Sequence, residues 1–154
     1  EIQVPKMVEI CNQHNIFMKE HNADYLSNEA LSWHPRLGIH AANIAPEFGV
    51  IETKSLISLL ENNGLNDLAD DFLELSFSSK KWEKWMIDGS NATDKQKSII
   101  SGHYVFSKPE CLEIKKKAQS ILGKKNINVE ELLKNAVKKG ILRYMINFKL
   151  MDTI

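Results

Sequence analysis

The 154-residue sequence predicts a helix-dominated α/β fold: a parallel strand, helix, strand unit near one end and an all-helical remainder. Three observations predict it. Residues 16–21 and 38–44 alternate, so that side chains two apart share a face as on a strand. Between them residues 28–33 carry a helix-starting signal, and the joining loops are a few residues long, which suits a parallel crossover. From Leu65 onward the alternation vanishes and apolar residues recur at helical spacing.

Taken in order, the chain opens on a short helix. Pro5 suits a first helical turn, and Met7, Val8 and Cys11 give a partial apolar stripe that runs out near His14 and Asn15. In the first strand Phe17, Lys19 and His21 share one face, while Ile16, Met18 and Glu20 share the other. Ser27 N-caps the helix over 28–33, and Pro35 ends it by disfavouring helical geometry at His34. The second strand sets Ile39, Ala41 and Asn43 on one face. After Pro46, the apolar residues Ile51, Leu56, Leu59 and Leu60 predict a helix with Gly64 as its C-cap.

Asn66 is placed to cap a helix that carries Leu68, Ala69, Phe72, Leu73 and Ser76 on one side. Residues 80–87 have Trp82, Trp85 and Met86 at helical spacing, and the large apolar area of the tryptophans points to core packing before a cofactor box. Residues 88–92 read as a loop. Three capping boxes follow: Thr93 with Gln96, Ser107 with Glu110, and Asn128 with Glu131, the last flanked by Ile127 and Leu132 as a hydrophobic staple. Gly123 and Gly140 are in place to end the second and third of these helices. The closing run ILRYMINFKLM reads as a final helix or as an apolar tail in need of a partner surface. The lysines at 115–117 and 124–125 read as solvated faces.

Composition excludes several classes of function. Lys plus Arg and Asp plus Glu are both 20, so no net field favours nucleic acid or an anionic membrane surface as a partner. Cys11 and Cys111 make neither a metal pair nor a disulfide framework, and read as small buried apolar residues. No apolar run nears the roughly 20 residues of a membrane span, and the five methionines with no secretory leader fit a cytoplasmic setting. The chain begins at Glu1, and a piece of a longer protein is expected. A phosphate-cradling glycine loop, a His-Glu-x-x-His helix, a Gly-x-Ser-x-Gly elbow and a Cys-x-x-Cys pair are all missing from the sequence.

What remains for chemistry is the polar cluster at the strand ends. His21, Asn22, Asp24 and Tyr25 follow the first strand, Asn43 and Glu47 follow the second, and Lys19 shares a face with His21. Ligands of parallel sheets and barrels bind beyond the carboxyl ends of the strands, so position favours a site. The alternative stands beside it: Asn22 and Asp24 make turn hydrogen bonds, and His21 is a hydrogen-bonded residue of the sheet.

The segment MKEHNADYLSNEALSWHPRLGIHAANIAPEFGVIETKSLISLLE, residues 18–61, resembles the end of the barrel in the non-catalytic subunit family of class II tagatose-bisphosphate aldolase. The His-x-x-Asp-Tyr run from His21 to Tyr25 carries the likeness, followed by a helix, a second strand and a Pro-led turn into a helix. KKWEKWM, GHYVFSKPECLEIKKKA and ILRYMINFKL continue it in collinear order over nearly the whole chain. Where the family has a Lys-x-Gly-Pro-Ala type run, this chain reads Ala42-Asn43-Ile44-Ala45-Pro46-Glu47. More distantly the chain is similar to class II fructose-bisphosphate aldolases, in which a histidine at the end of the penultimate strand binds zinc and a glycine-serine loop binds phosphate. His21 occupies that histidine's position, with Asn22-Ala23-Asp24 in place of the glycine loop. One histidine cannot hold zinc, which takes three or four ligands, so a complete site would draw on other parts of a barrel.

The resemblance implies the last two β/α units of an aldolase-type (β/α)8 barrel over residues 1–63 and an all-α extension over 64–154. It implies a sugar-phosphate (tagatose-bisphosphate) aldolase-like subunit of carbohydrate metabolism, non-catalytic, that stabilises a catalytic aldolase subunit or forms a homo-oligomer. On that reading Lys19, Asn22, Asp24, Tyr25, Asn43 and Glu47 bind the sugar phosphate, and His21 contributes a nitrogen to zinc in the complete protein. Two competitors remain. One is a metal-dependent sugar-phosphate enzyme whose other ligands lie outside this chain. The other is a helical protein-interaction module with the strands as scaffold.

Overall fold

Local rules account for most of the observed elements. The computed structural model describes residues 3–151, and helices make up most of them. Helix α1 spans Gln3–Gln13, strand β1 Lys19–Glu20, α2 Asn28–Leu37, β2 Ala41–Ala42 and α3 Pro46–Asn62. Then follow α4 Asn66–Ser78, α5 Asp94–Ser101, α6 Pro109–Leu122 and α7 Val129–Asn147, with short 3-10 turns between them. The described residues pack as two units, one made of 3–48 with 139–151 and the other of 49–138.

In the first unit β1 and β2 pair in parallel, Lys19 opposite Ala41 and Glu20 opposite Ala42, as the alternation predicted. The regular strands are shorter than the alternating runs, but hydrogen bonding continues beyond them. The Met18 carbonyl accepts from His40 N at 3.0 Å, the Glu20 carbonyl from Asn43 N at 3.1 Å, and the Asn43 carbonyl from Ala23 N at 2.9 Å. Helix α2 supplies the crossover. Ser27 caps it, its hydroxyl accepting from Ala30 N at 3.1 Å. Contrary to the sequence reading, Pro35 does not stop this helix, which runs on to Leu37. Pro35 lies in the last turn, where its missing donor removes a single bond, and the chain leaves through Gly38 in left-handed geometry (φ 78°).

In the second unit a buried core gathers Leu56, Leu60, Phe72, Val105, Leu122 and Leu133. Three buried serines tie α4 to α5. Ser76 Oγ donates to the Ser98 carbonyl at 2.7 Å and lies 3.0 Å from Ser101 Oγ, while Ser98 Oγ donates to the Leu73 carbonyl at 2.9 Å. The Thr93–Gln96 capping box forms as predicted, and Asn128 Oδ1 accepts from Glu131 N at 3.0 Å. Four expectations are corrected. Asn66 does not cap α4 but is its first residue, with Leu65 at the N-cap and no side-chain cap bond. Residues 80–87 form only the 3-10 turn Glu83–Trp85, bounded by the left-handed Lys80 (φ 56°) before it and the extended backbone of Met86 (φ −87°, ψ 137°) after it. Ser107 does not cap α6, which begins one residue later on Pro109, with Lys108 as an N-cap whose side chain makes no cap bond. Gly140 does not end α7; the helix passes through it to Asn147, so most of the closing apolar run is helical.

Candidate functional site

The first unit concentrates its polar chemistry where β1 ends. Residues 21–28 leave the strand through two left-handed residues, Asn22 (φ 66°) and Tyr25 (φ 62°). Asn tolerates that region, whereas Tyr enters it only where its surroundings compensate. They do so here: Tyr25 N–H donates to the Glu47 carboxylate. Between them Ala23 is fully buried, and Asp24 turns towards the start of α3. Pro46 opens α3 with no N–H of its own, and Asp24 Oδ1 accepts from Ala45 N at 3.1 Å and Glu47 N at 2.9 Å. The helix is therefore capped by a side chain from an earlier loop, the role a residue at its own N-cap would have filled.

Glu47 is the centre of the cluster, with its side chain only 12% exposed. Its Oε1 receives Arg143 Nη1 at 3.0 Å, and its Oε2 receives the Tyr144 hydroxyl as well as Tyr25 N–H. Arg143 also donates through Nε to Asn28 Oδ1 at 2.7 Å and through Nη2 to the Leu26 carbonyl. The buried Tyr144 hydroxyl lies 3.2 Å from the Ala23 carbonyl, and the Tyr144 ring meets Phe48 edge-on at 5.6 Å. Burial raises the Tyr144 phenol above its ordinary pKa, Glu47 adds to that by hydrogen bond and charge, and Arg143 opposes it. Both Glu47 oxygens are thus engaged by donors of this chain, in an arrangement that holds the 21–28 loop shut.

The remaining predicted residues lie elsewhere. Exposure alternates along β1 and its continuation: Met18 and Glu20 are partly covered, Lys19 and His21 exposed. Glu20 faces α2, where its carboxylate meets His34, so Lys19 and His21 lie on the opposite side of the sheet. Extending the strand register by one residue sets the exposed Asn43 beside His21. The structure therefore brings Asp24, Tyr25 and Glu47 into one internally bonded cluster. Lys19, His21, Asn22 and Asn43 remain as an exposed set whose side chains, among the described residues, make no hydrogen bond or ion pair. An ammonium, an imidazole and two amides of this kind suit recognition of an anion. Zinc does not fit the donors present: among the described residues no three or more His, Cys, Asp or Glu side chains come together to hold a metal ion, and His21 offers one nitrogen.

Arg143 and Tyr144 escaped the sequence reading, being 96 and 97 residues from Glu47. A signal existed: an arginine inside the apolar run 141–146 has to find a partner if that run is to be covered. In comparisons with protein-family models, curated proteins and solved structures, this chain matches none of them.

Proposed function

We propose that this chain is a non-catalytic, aldolase-like subunit that binds a sugar phosphate and stabilises a catalytic partner, with β1, α2, β2 and α3 as the closing steps of an aldolase-type (β/α)8 barrel. One observation carries the reading. Two parallel strands joined through a helix present Lys19, His21 and Asn43 on the face away from that helix, at the strands' carboxyl ends. In a barrel that face looks inward, and its carboxyl end is where ligands bind. Parallel strands are ordinarily paired on both edges and covered on both faces, whereas β1 and β2 form a two-stranded sheet among the described residues. On this reading the remaining strands come from other polypeptide, and so would any further zinc ligands. The engagement of Glu47 and Asp24 in bonds within the chain supports a non-catalytic role for these carboxylates.

Isothermal calorimetry of the full-length protein with tagatose bisphosphate tests the proposal. Binding is expected, and His21→Ala should weaken it while leaving the unfolding free energy within about 0.5 kcal/mol, since an exposed side chain leaves no cavity. Unchanged binding in the variant would remove His21 from the site. A second reading, a helical protein-interaction module, is favoured by the exposed apolar residues Ile16, Phe17, Leu142 and Ile146, and failure of the protein to bind any sugar phosphate would select it.

A further inference from the structure

Beside β2, within the first unit, lies a cavity of about 440 Å³. That volume falls in the range of small-molecule sites. The end of α2 contributes His34 and Pro35 to its wall, β2 and its flanks Ile39 and Ile44, and the C-terminal part of α7 Met145 and Phe148. No Lys, Arg, Asp or Glu is among the lining residues. A phosphate or carboxylate would therefore enter an apolar wall with no arginine or lysine to receive it. This separates the cavity from the exposed Lys19 and His21 set, which suits an anion.

Two histidines and Tyr144 are the polar side chains of the lining, and the Tyr144 hydroxyl is taken up by Glu47. His34 is 7% exposed, and its Nδ1 donates to the Ala30 carbonyl at 3.2 Å. Its buried Nε2 lies against the Glu20 carboxylate, which takes up that nitrogen. His40, an exposed residue, accepts Met18 N–H on Nδ1 at 3.2 Å, so its Nε2 carries the proton and can donate. A hydroxyl can accept from His40 Nε2–H without bringing a charge into the apolar wall. An anion placed there would meet the Glu20 charge. The ring of Phe148, 5.0 Å from that of His34, continues the wall as apolar surface.

We propose that this cavity binds a neutral, largely apolar molecule carrying a hydroxyl group. Decanol is a suitable probe, with decanoate and inorganic phosphate as comparisons, titrated into the full chain while the methyl resonances of Ile44 and Met145 are followed by NMR. Saturable one-to-one shifts at these methyls with decanol are expected, with decanoate weaker and phosphate without effect on them. Ile141→Trp, at the partly exposed rim, narrows the opening without touching the polar cluster, and should weaken decanol binding about tenfold. Glu20→Gln removes the charge that an anion would meet and should narrow the preference for decanol over decanoate. The proposal is overturned if decanoate binds as tightly as decanol, if folded Ile141→Trp binds decanol unchanged, or if the shifts are confined to Leu142 and Ile146 on the exposed side of α7. A sugar phosphate acting through Lys19 and His21 would leave the Ile44 and Met145 methyls unmoved, so each proposal can fail without the other.

Discussion

Glu47 shows how one side chain can decide the conformation of a loop. It is almost covered, and it accepts from Arg143, Tyr144 and Tyr25. Glu47→Ala leaves a partly covered guanidinium and a phenol without their acceptor, and should destabilise the protein by about 2 kcal/mol in urea denaturation. A loss near zero would mean that water replaces the carboxylate without cost. Tyr144 gives a pH dependence. Its folded pKa is raised by burial first and then by Glu47, so the stability it contributes is complete below the unfolded phenol value of about 10 and is lost as pH rises above that. The denaturation midpoint should fall in alkali, and Tyr144→Phe should make that fall shallower. At this scale the sequence reading identified Glu47 and Asp24 as members of one neighbourhood, because both flank strand ends. It did not supply their bonds, since nothing within a few residues of Glu47 indicates that its partners come from α7.

Helices in this chain start and stop by local chemistry where that chemistry is unopposed. The Thr93–Gln96 box and the Ser27 cap formed as spacing predicts. Pro35 and Gly140 do not end their helices: Pro35 lies in the last turn of α2, where it removes a single bond, and the penalty of one glycine inside the long α7 is only about 1 kcal/mol. Gly102 marks the reverse case, a small residue required by an approach between elements. A Cβ there would lie 2.5 Å from Thr53 Cγ2 and 2.6 Å from its Oγ1, and Thr53 is fully buried on α3 with its hydroxyl donating to the Gly49 carbonyl. Gly102→Ala should therefore cost about 1–3 kcal/mol, measured by thermal or chemical unfolding. A neutral result would show that the turn at 102–104 can shift as a body. Lys115 makes a related point: it reads as part of a solvated lysine run, yet it is largely covered and lies 3.5 Å from both Glu52 and Glu130.

At the scale of the molecule, the two units differ in how they are held. Residues 49–138 contain the large core with Phe72, Leu60 and Leu122 fully buried. The unit of 3–48 and 139–151 relies on a two-stranded sheet and on the Glu47 cluster. Hydrogen exchange followed by mass spectrometry should show amides of residues 18–48 exchanging faster than those of α4 and α6, since opening costs less free energy where fewer apolar groups are buried. Arg143→Met should accelerate the first group and leave the second unchanged. Uniform exchange over both would mean that the chain opens as one cooperative body.

The sequence by itself determined the helical character of the chain, most helix starts, and the alternation that underlies the parallel pair of residues 19–20 and 41–42. These depend on capping, turn and periodicity signals within a few residues of each other. Only the tertiary structure decided that Arg143 and Tyr144 close the loop after β1, that Asp24 caps a helix 22 residues later in the chain, and that a cavity lies between β2 and α7. Contacts of that separation leave no local pattern. They exist because a buried carboxylate, a helix start without its own cap and an arginine in an apolar stripe each need a partner, and the packing of distant segments determines which one each receives.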